Sequence, residues 1–162
     1  MRSLALTMQR LSFGIMTAAL VTAWGARAFA AEQSPVGLWK TIDDETGKEK
    51  SIVRIWEEDG KMYGKVIKLF RGPDEEQNPK CDKCPGDKKD QPTIGLTILW
   101  DLEKDDEEWS GGKILDPNNG KTYKCYIAVE DGGIKLKVRG FIGFALIGRT
   151  QYWHRVDESA LQ

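Results

Sequence analysis

The sequence predicts an all-β protein that forms an eight-stranded, up-and-down antiparallel barrel. Beyond residue 31, no window of about 11 residues repeats apolar positions at helical spacing, whereas alternation with a period of two recurs between turns rich in Gly, Asp and Asn. Most of the eight alternating segments are joined by short turns, which favours an up-and-down order over a two-sheet sandwich with longer crossovers. Closure of the last strand, 148–156, onto the first removes the unpaired edges that invite aggregation.

Each predicted strand is recognised by its alternation and by the turns on either side of it. Asp59-Gly60 favours the positive backbone angles of a tight hairpin turn, and Asp-Pro-Asn-Asn-Gly at 116–120 is a second strong turn. The alternation predicts one buried and one solvated face for each strand. The predicted strands cover residues 36–42, 51–58, 61–70, 94–102, 109–115, 121–129, 134–140 and a last strand that starts near 146 and ends at 156.

The alternation in two of these segments predicts which side chains share a face of the sheet. In the seventh strand, Ile134, Leu136 and Val138 are expected to point into the core, while the basic residues between them point outward. In the fourth strand, the side chains expected on one face are Ile94, Leu96, Ile98, Trp100 and Leu102.

Gly111-Gly112, near the start of the fifth strand, predicts a bulge.

A long loop over residues 71–93 interrupts the series of hairpins. Four prolines between residues 71 and 92 exclude a regular strand or helix there. Loops of this length are typically lids, binding loops or disordered segments. The loop also carries two of the three cysteines of the chain, Cys81 and Cys84.

The first 31 residues have the features of a cleaved secretory signal peptide. Arg2 and Arg10 provide a positive amino-terminal region, an uncharged apolar run covers residues 11–24, and Ala28-Phe29-Ala30 places small residues where a signal peptidase reads the chain. An uncleaved membrane anchor is the alternative, but the run is short for a spanning helix. We therefore expect a single β-barrel domain over residues 32–162, periplasmic or secreted, and soluble after signal removal.

The charge of the mature chain argues against nucleic acid as a partner. Removing Arg2, Arg10 and Arg27 with the signal leaves 21 of the 24 basic residues against 25 acidic ones, a net charge of −4. Nucleic-acid-binding domains are typically basic, with lysines and arginines clustered on one face. The sequence therefore predicts no nucleic-acid partner.

Gly37-Leu38-Trp39 on the first strand, together with arginines on the last strand, resembles the lipocalin and fatty-acid-binding (calycin) barrels. In those families the tryptophan plugs one end of the barrel, and an arginine of the last strand lies across its ring. A guanidinium over an indole contributes about 0.5–2 kcal/mol. The resemblance implies that Gly37 and Trp39 close the barrel together with Arg155 or Arg149.

A second resemblance covers nearly all of the mature chain. The chain resembles domain-of-unknown-function family 2147, a family of exported bacterial proteins. This resemblance implies a calycin-like barrel and an exported location, and it brings no established activity, so no catalytic residue is carried over. It rests on residues 37–39, 78–84, 92–96, 116–123 and 148–153.

Cys81-Asp82-Lys83-Cys84 is the sharpest local motif. In an oxidising compartment it is expected to form a structural disulfide, which for so short a loop stabilises by about 2 kcal/mol. A redox pair normally sits at a helix N-terminus, which this loop does not provide. A metal site would need two more ligands, and beyond carboxylates the chain offers only Cys125 and His154. We therefore predict no metal and no cofactor.

The other reactive residues have simpler interpretations. Cys125 shares an apolar strand face and is expected to be buried, with an intermolecular disulfide as the alternative. His154 lacks a motif that would supply a nucleophile or an orienting partner, so a structural or surface role is expected rather than general base catalysis. The acidic runs 74–76 and 105–108 lack the ligand spacing of a calcium loop and are expected to be solvated turns.

The aromatic residues suggest a function in ligand binding. Aromatics that line a barrel mouth can hold an apolar or ring-bearing ligand. Our first hypothesis is a non-enzymatic, exported, lipocalin-like barrel that binds a small apolar or lipid-like ligand, with the long loop as its lid. An interior filled with side chains would contradict it. The candidate ligand-binding residues are Trp39, Tyr63, Trp100, Tyr123 and Tyr152.

Two further hypotheses remain open from sequence alone. One is a periplasmic protein-interaction module with a filled barrel, which an exposed aromatic patch on the outer wall would favour. The other is a redox or metal protein built on Cys81 and Cys84, for which free thiols at that motif would be the evidence.

Overall fold

The protein folds as a closed barrel of eight antiparallel strands in sequence order, which confirms the predicted fold class. The structure is a computed structural model that describes residues 34–162. The predicted signal peptide, 1–31, lies outside the described residues. The strands are β1 (Gly37–Ile42), β2 (Glu49–Glu58), β3 (Lys61–Leu69), β4 (Thr97–Asp105), β5 (Glu108–Asp116), β6 (Lys121–Glu130), β7 (Lys135–Phe141) and β8 (Gly148–Val156).

β8 closes the sheet onto β1. The two strands pair antiparallel through three residue pairs, with Trp39 opposite Arg155 and Lys40 opposite His154. Neither strand is therefore an edge, as the sequence predicts. Beyond these three pairs, the end of β1 and the start of β8 are not hydrogen-bonded to each other.

The two ends of the barrel differ. The end at which β1 begins and β8 finishes carries the three tight turns β2–β3, β4–β5 and β6–β7, and we call it the closed end. The opposite end, which we call the open end, carries the β1–β2, β5–β6 and β7–β8 connections and the long connection between β3 and β4, residues 70–96. Side chains fill the half of the interior next to the closed end. Fully buried examples are Trp39, Val53, Ile55, Leu102, Ile127 and Leu136.

The structure corrects the predicted face of β4. Ile94 precedes the strand and is exposed, and Trp100 lies on the outer face instead of beside Leu102. The reason is that the β3–β4 register shifts twice, each time by one extra residue in β4, and each extra residue inverts the faces of the residues beyond it. The shift beside Asp101, which adopts a φ of 60°, puts Trp100 outside and Leu99 inside. The shift between Leu99 and Thr97 then returns Ile98 to the interior, as predicted.

A further bulge lies in β5, beside the irregularity at Asp101 of β4, and it lies where the sequence predicts it. Gly111 has a φ of 80°, and the β5–β6 register shifts between Trp109 and Gly112. A Cβ atom on Gly112 would lie 2.4 Å from the carbonyl oxygen of Trp100, so only glycine allows β4 and β5 to approach this closely.

Ile134 is also corrected, because it does not share the buried face of Leu136 and Val138. It follows the short 3-10 turn Asp131–Gly133 with helical dihedrals, before β7 begins at Lys135, and its side chain is exposed. Within residues 34–162, helical structure is limited to 3-10 turns, none of them long and apolar enough to cross a bilayer.

Candidate functional site: a cavity at the open end

The interior at the open end is not filled. It encloses a cavity of about 660 Å³. Its wall is mainly apolar and includes Val66, Leu69, Ile98, Ile114, Val138 and Trp153. This volume lies within the range of sites that bind small molecules, which are typically apolar pockets with a few polar groups.

Two buried hydroxyl groups interrupt the apolar wall. Thr41 and Ser51 lie opposite each other in the β1–β2 ladder, and their Oγ atoms are 2.8 Å apart. Each hydroxyl can both donate and accept, so the pair retains hydrogen-bonding capacity toward the cavity. On the other side of the cavity, the Tyr123 hydroxyl accepts a hydrogen bond of 3.2 Å from the Asn119 side chain. These three groups can orient a ligand that is otherwise held by apolar contact.

The rim of the cavity is polar and mostly basic. Four of its side chains are cationic and two are anionic, and Asp116 is held in the β5–β6 turn by hydrogen bonds from Asn118 and Asn119. An apolar interior beneath a basic rim matches an amphiphile with a polar or anionic head. The cationic rim residues are Lys50, Arg71, Lys80 and Arg149.

The β3–β4 connection lies across part of this mouth and contains the predicted Cys81–Cys84 disulfide. Both sulfurs are buried. The segment that carries them is an ordered hairpin: the Cys81 amide donates to the Gln91 carbonyl at 2.8 Å, and the Thr93 amide donates to the Pro79 carbonyl at 2.9 Å. Because Pro79, Lys80, Asp82 and Thr93 line the cavity, this hairpin acts as a fixed partial lid.

The lid packs against the β5–β6 turn. The Lys83 ammonium donates to the Asn118 carbonyl at 3.2 Å. Gly120 has a φ of 71°, and a Cβ atom there would lie 1.8 Å from the Lys83 carbonyl oxygen. Any side chain at position 120 would therefore push the lid off the turn. Two of the segments that carry the sequence resemblance, 78–84 and 116–123, thus meet at the mouth of the cavity.

Trp39 and Arg155 form the closure at the other end of the barrel. The guanidinium carbon of Arg155 lies 4.2 Å from the ring centroid of Trp39, and the indole N–H donates to the Pro35 carbonyl at 2.7 Å. Arg155 also donates to the carbonyls of Ser34, Val36 and Gly133. Burial lowers the pKa of Arg155, but a guanidinium stays charged at any ordinary pH.

Gly37 makes room for this arginine. It has a φ of 137°, and a Cβ atom there would lie 2.8 Å from Nη1 of Arg155. Arg149 is not the partner of Trp39. It pairs instead with Asp44 at the open end, where Gln151 also donates to Asp44 at 2.8 Å. Side chains therefore bridge β8 to the β1–β2 turn where backbone pairing has ended.

Of the five candidate ligand-binding residues, only Tyr123 lines the cavity. Trp39 is fully buried in the plug. The other three lie on the outer face of the barrel, so the structure places them outside the site. Tyr63 stacks on Trp56 with ring centroids 5.7 Å apart, while Trp100 and Tyr152 lie under the ammonium groups of Lys88 and Lys135.

Other cavity residues were not among the sequence candidates. Trp153 and Gln151 line the cavity, which shows that the face of β8 shared by Arg149, Gln151, Trp153 and Arg155 points inward. The sequence groups these residues but does not choose between the two faces. His154 therefore lies on the outer, exposed face, away from the cavity.

Cys125 is buried among apolar side chains, as predicted. Burial raises the pKa of its thiol to about 12, because the thiolate loses its hydration inside the barrel. Since the thiolate is the reactive species, we expect no thiol to react with a disulfide reagent at pH 8 in the native, oxidised protein.

The same reagent should detect one thiol after denaturation without reductant, and three after reduction, the full cysteine count. Rapid labelling of Cys125 in the native state would contradict its burial. Three thiols without reductant would contradict the disulfide.

Comparisons with known proteins agree with the fold. A family model described as "Uncharacterized protein conserved in bacteria (DUF2147)" matches residues 37–155. No curated protein matches the chain. Among solved structures, protein HP1028 from the human pathogen Helicobacter pylori, described as belonging to the lipocalin family, matches with a TM-score of 0.67 at 24% identity, over 80% of this chain and 87% of that chain.

Proposed function

Since the chain belongs to the bacterial family DUF2147 and folds as a lipocalin-like barrel, we propose that it is an exported, non-enzymatic protein that binds a small apolar or lipid-like ligand. The observation that carries this proposal is the cavity of about 660 Å³ at the open end. A barrel that served only as a rigid scaffold would gain stability from filling this space, because cavities cost packing energy.

The chemistry of the cavity supports a lipid-like ligand. An apolar chain would lie against Val66, Ile98 and Val138, and a polar head would lie at the rim, near Lys80 and Arg71. Burial of an apolar chain contributes about 25 cal/mol per Å² removed from water. A basic rim adds charge-assisted hydrogen bonds to an anionic head, which are stronger than those between neutral groups.

Several features support export and binding without a chemical step. The signal-like residues 1–31 and the Cys81–Cys84 disulfide both fit an oxidising compartment. The only histidine of the chain, His154, is exposed on the outer face. A filled barrel used as an interaction platform is the alternative, and the open interior is the observation against it.

Native mass spectrometry of the protein purified from the exporting cell tests this proposal directly. We expect a protein mass that lacks the signal peptide and a reproducible additional mass that disappears on denaturation. Retention of residues 1–31 would contradict export. Ligand binding would still be decided by the presence or absence of the additional mass.

A matched pair of variants tests whether the cavity is the binding site. Ile114 lines the cavity, whereas its neighbour Lys113 is exposed on the outer face. With the uncharged fluorescent probe N-phenyl-1-naphthylamine, Ile114→Trp should bind at least about tenfold more weakly because the new indole occupies the cavity. Lys113→Trp should bind like the wild type. Equal effects of the two variants, or no saturable binding by the wild type, would contradict the proposal.

A further inference from the structure

The β7–β8 loop exposes apolar side chains beside the cavity mouth. Phe144 is 79% exposed and Leu146 is 92% exposed, and Ile142 and Ile147 are largely exposed as well. Ile142 and Ile147 also line the cavity, so the loop connects the interior with the surface. A contiguous apolar patch of this kind on a protein surface typically marks an interaction site.

The loop is held in a defined conformation. The Ile142 amide donates to the Ile147 carbonyl at 3.2 Å, and the Ile147 amide donates to the Phe144 carbonyl at 3.0 Å. Arg139 on β7 donates through Nε to the Ala145 carbonyl at 2.8 Å and through Nη1 to the Thr150 hydroxyl at 2.7 Å. These bonds project Phe144 and Leu146 outward instead of letting the loop fold back over the cavity.

Charge is distributed unequally between the two ends of the barrel. The turns at the closed end, residues 57–61, 101–108 and 130–135, carry three, six and two acidic residues respectively, with one lysine each. By contrast, the four connections at the open end with their flanking residues, 43–50, 70–96, 113–124 and 139–149, carry twelve basic and eleven acidic residues, so this end is close to neutral. Its basic excess lies beside the apolar loop, where residues 113–124 and 139–149 carry five basic residues and one acidic residue, Asp116; one of the five, Arg149, is paired with Asp44. Lys124 lies directly opposite Phe141 in the β6–β7 ladder, at the base of the loop.

We propose that the open end docks on an anionic lipid bilayer, with Phe144 and Leu146 inserted among the acyl chains and the basic residues around the loop at the headgroups. Apolar side chains inserted into the interface, together with attraction to anionic lipids, are the two terms that hold peripheral proteins on membranes. The acidic closed end then faces away from the anionic bilayer. Electrostatic repulsion of that end therefore favours the orientation in which the open end meets the lipids.

A second copy of the chain is a less suitable partner for this surface. A symmetric dimer through the loop would place the basic residues of one protomer against the same residues of the other. Like charges across an interface disfavour association, whereas an anionic surface neutralises them. Docking of this kind does not depend on the cavity being occupied, so it can be tested separately from ligand binding.

Vesicle co-sedimentation of the mature protein tests the docking. We expect binding to vesicles of phosphatidylcholine with about 30% phosphatidylglycerol, weak binding to phosphatidylcholine alone, and a loss of affinity as salt is raised. The double variant Phe144→Ser, Leu146→Ser should bind at least about tenfold more weakly. Lys124→Gln should lower the affinity about fivefold. The control is Ile134→Ser, which removes an exposed apolar side chain at the closed end and should bind like the wild type.

A fluorescence measurement reports insertion without relying on folding of the serine variants. Leu146→Cys provides one accessible thiol, because Cys125 is buried and Cys81 and Cys84 are joined. An environment-sensitive dye at position 146 should shift to the blue on anionic vesicles, whereas the same dye in Ile134→Cys should not. No shift at position 146, or equal binding to neutral and anionic vesicles, would overturn the proposal. So would a dimer in solution that the same double serine variant abolishes.

Discussion

Trp39→Ala is expected to lower the free energy of unfolding by about 3–5 kcal/mol, the largest stability effect of any single substitution considered for this barrel. Trp39 is fully buried, and its removal would empty the plug at the closed end. The Pro35 carbonyl would lose the indole donor, and Arg155 would lose the ring over which its guanidinium lies. Urea denaturation followed by circular dichroism measures the effect.

Trp100→Ala is the control for the loss of a tryptophan as such. Trp100 lies on the outer face under the Lys88 ammonium and is only partly buried. It also packs against the edge of the buried cluster, so its removal loses some packing, but it empties no space inside the barrel end and should cost less than the loss of Trp39, about 1–2 kcal/mol. Equal costs for the two variants would show that Trp39 is not a plug.

Arg155→Ala is expected to cost about 2–4 kcal/mol, less than the loss of Trp39. Its guanidinium donates hydrogen bonds to three backbone carbonyls at the closed end, those of Ser34 and Val36 before β1 and of Gly133 in the β6–β7 turn. A hydrogen bond that involves a charged group contributes about 1.5–3 kcal/mol net of exchange with water, and the total is smaller than the sum of three because the guanidinium is only half-buried. Arg155→Lys should recover only part of the loss, because one ammonium cannot reach three divergent carbonyls.

Arg149→Ala is the matched control on the same strand and the same face. Its side chain is 61% exposed and pairs with Asp44. Exposed ion pairs contribute below about 1 kcal/mol, so this variant should be near neutral for stability. If Arg149→Ala destabilised the protein as much as Arg155→Ala, the assignment of Arg155 as the closing residue would be wrong.

The barrel could be predicted because its sequence signals are local. The Asp59-Gly60 and 116–120 turns separate alternating segments, and these signals need no knowledge of the partner strands. The pairing of Trp39 with an arginine of β8 depended on the resemblance. The choice of Arg155 over Arg149 required the register between β1 and β8, which three residue pairs define.

The candidate site was less predictable, because bulges change which face a side chain occupies. Trp100 was expected inside, but Asp101 with its positive φ places it outside. Tyr63 points outward because its neighbours Met62 and Gly64 point inward, and glycine has no side chain that would reveal its face in the sequence. Of the aromatic candidates, Tyr123 alone lines the cavity, and aromatic content could not separate it from the outer-face aromatics.

The pairing of β1 with β8 also has a consequence for the order in which the strands of the protein can assemble. Arg155 bonds to Ser34 across 121 residues of chain, so the contact that completes the barrel is among the longest in sequence. Proteins dominated by such long-range contacts fold in milliseconds to seconds, because loop closure must precede the gain from pairing. Until residues 148–156 pair with it, β1 presents an unpaired edge. Any factor that binds partly folded chains therefore has a natural substrate in this strand before the barrel closes.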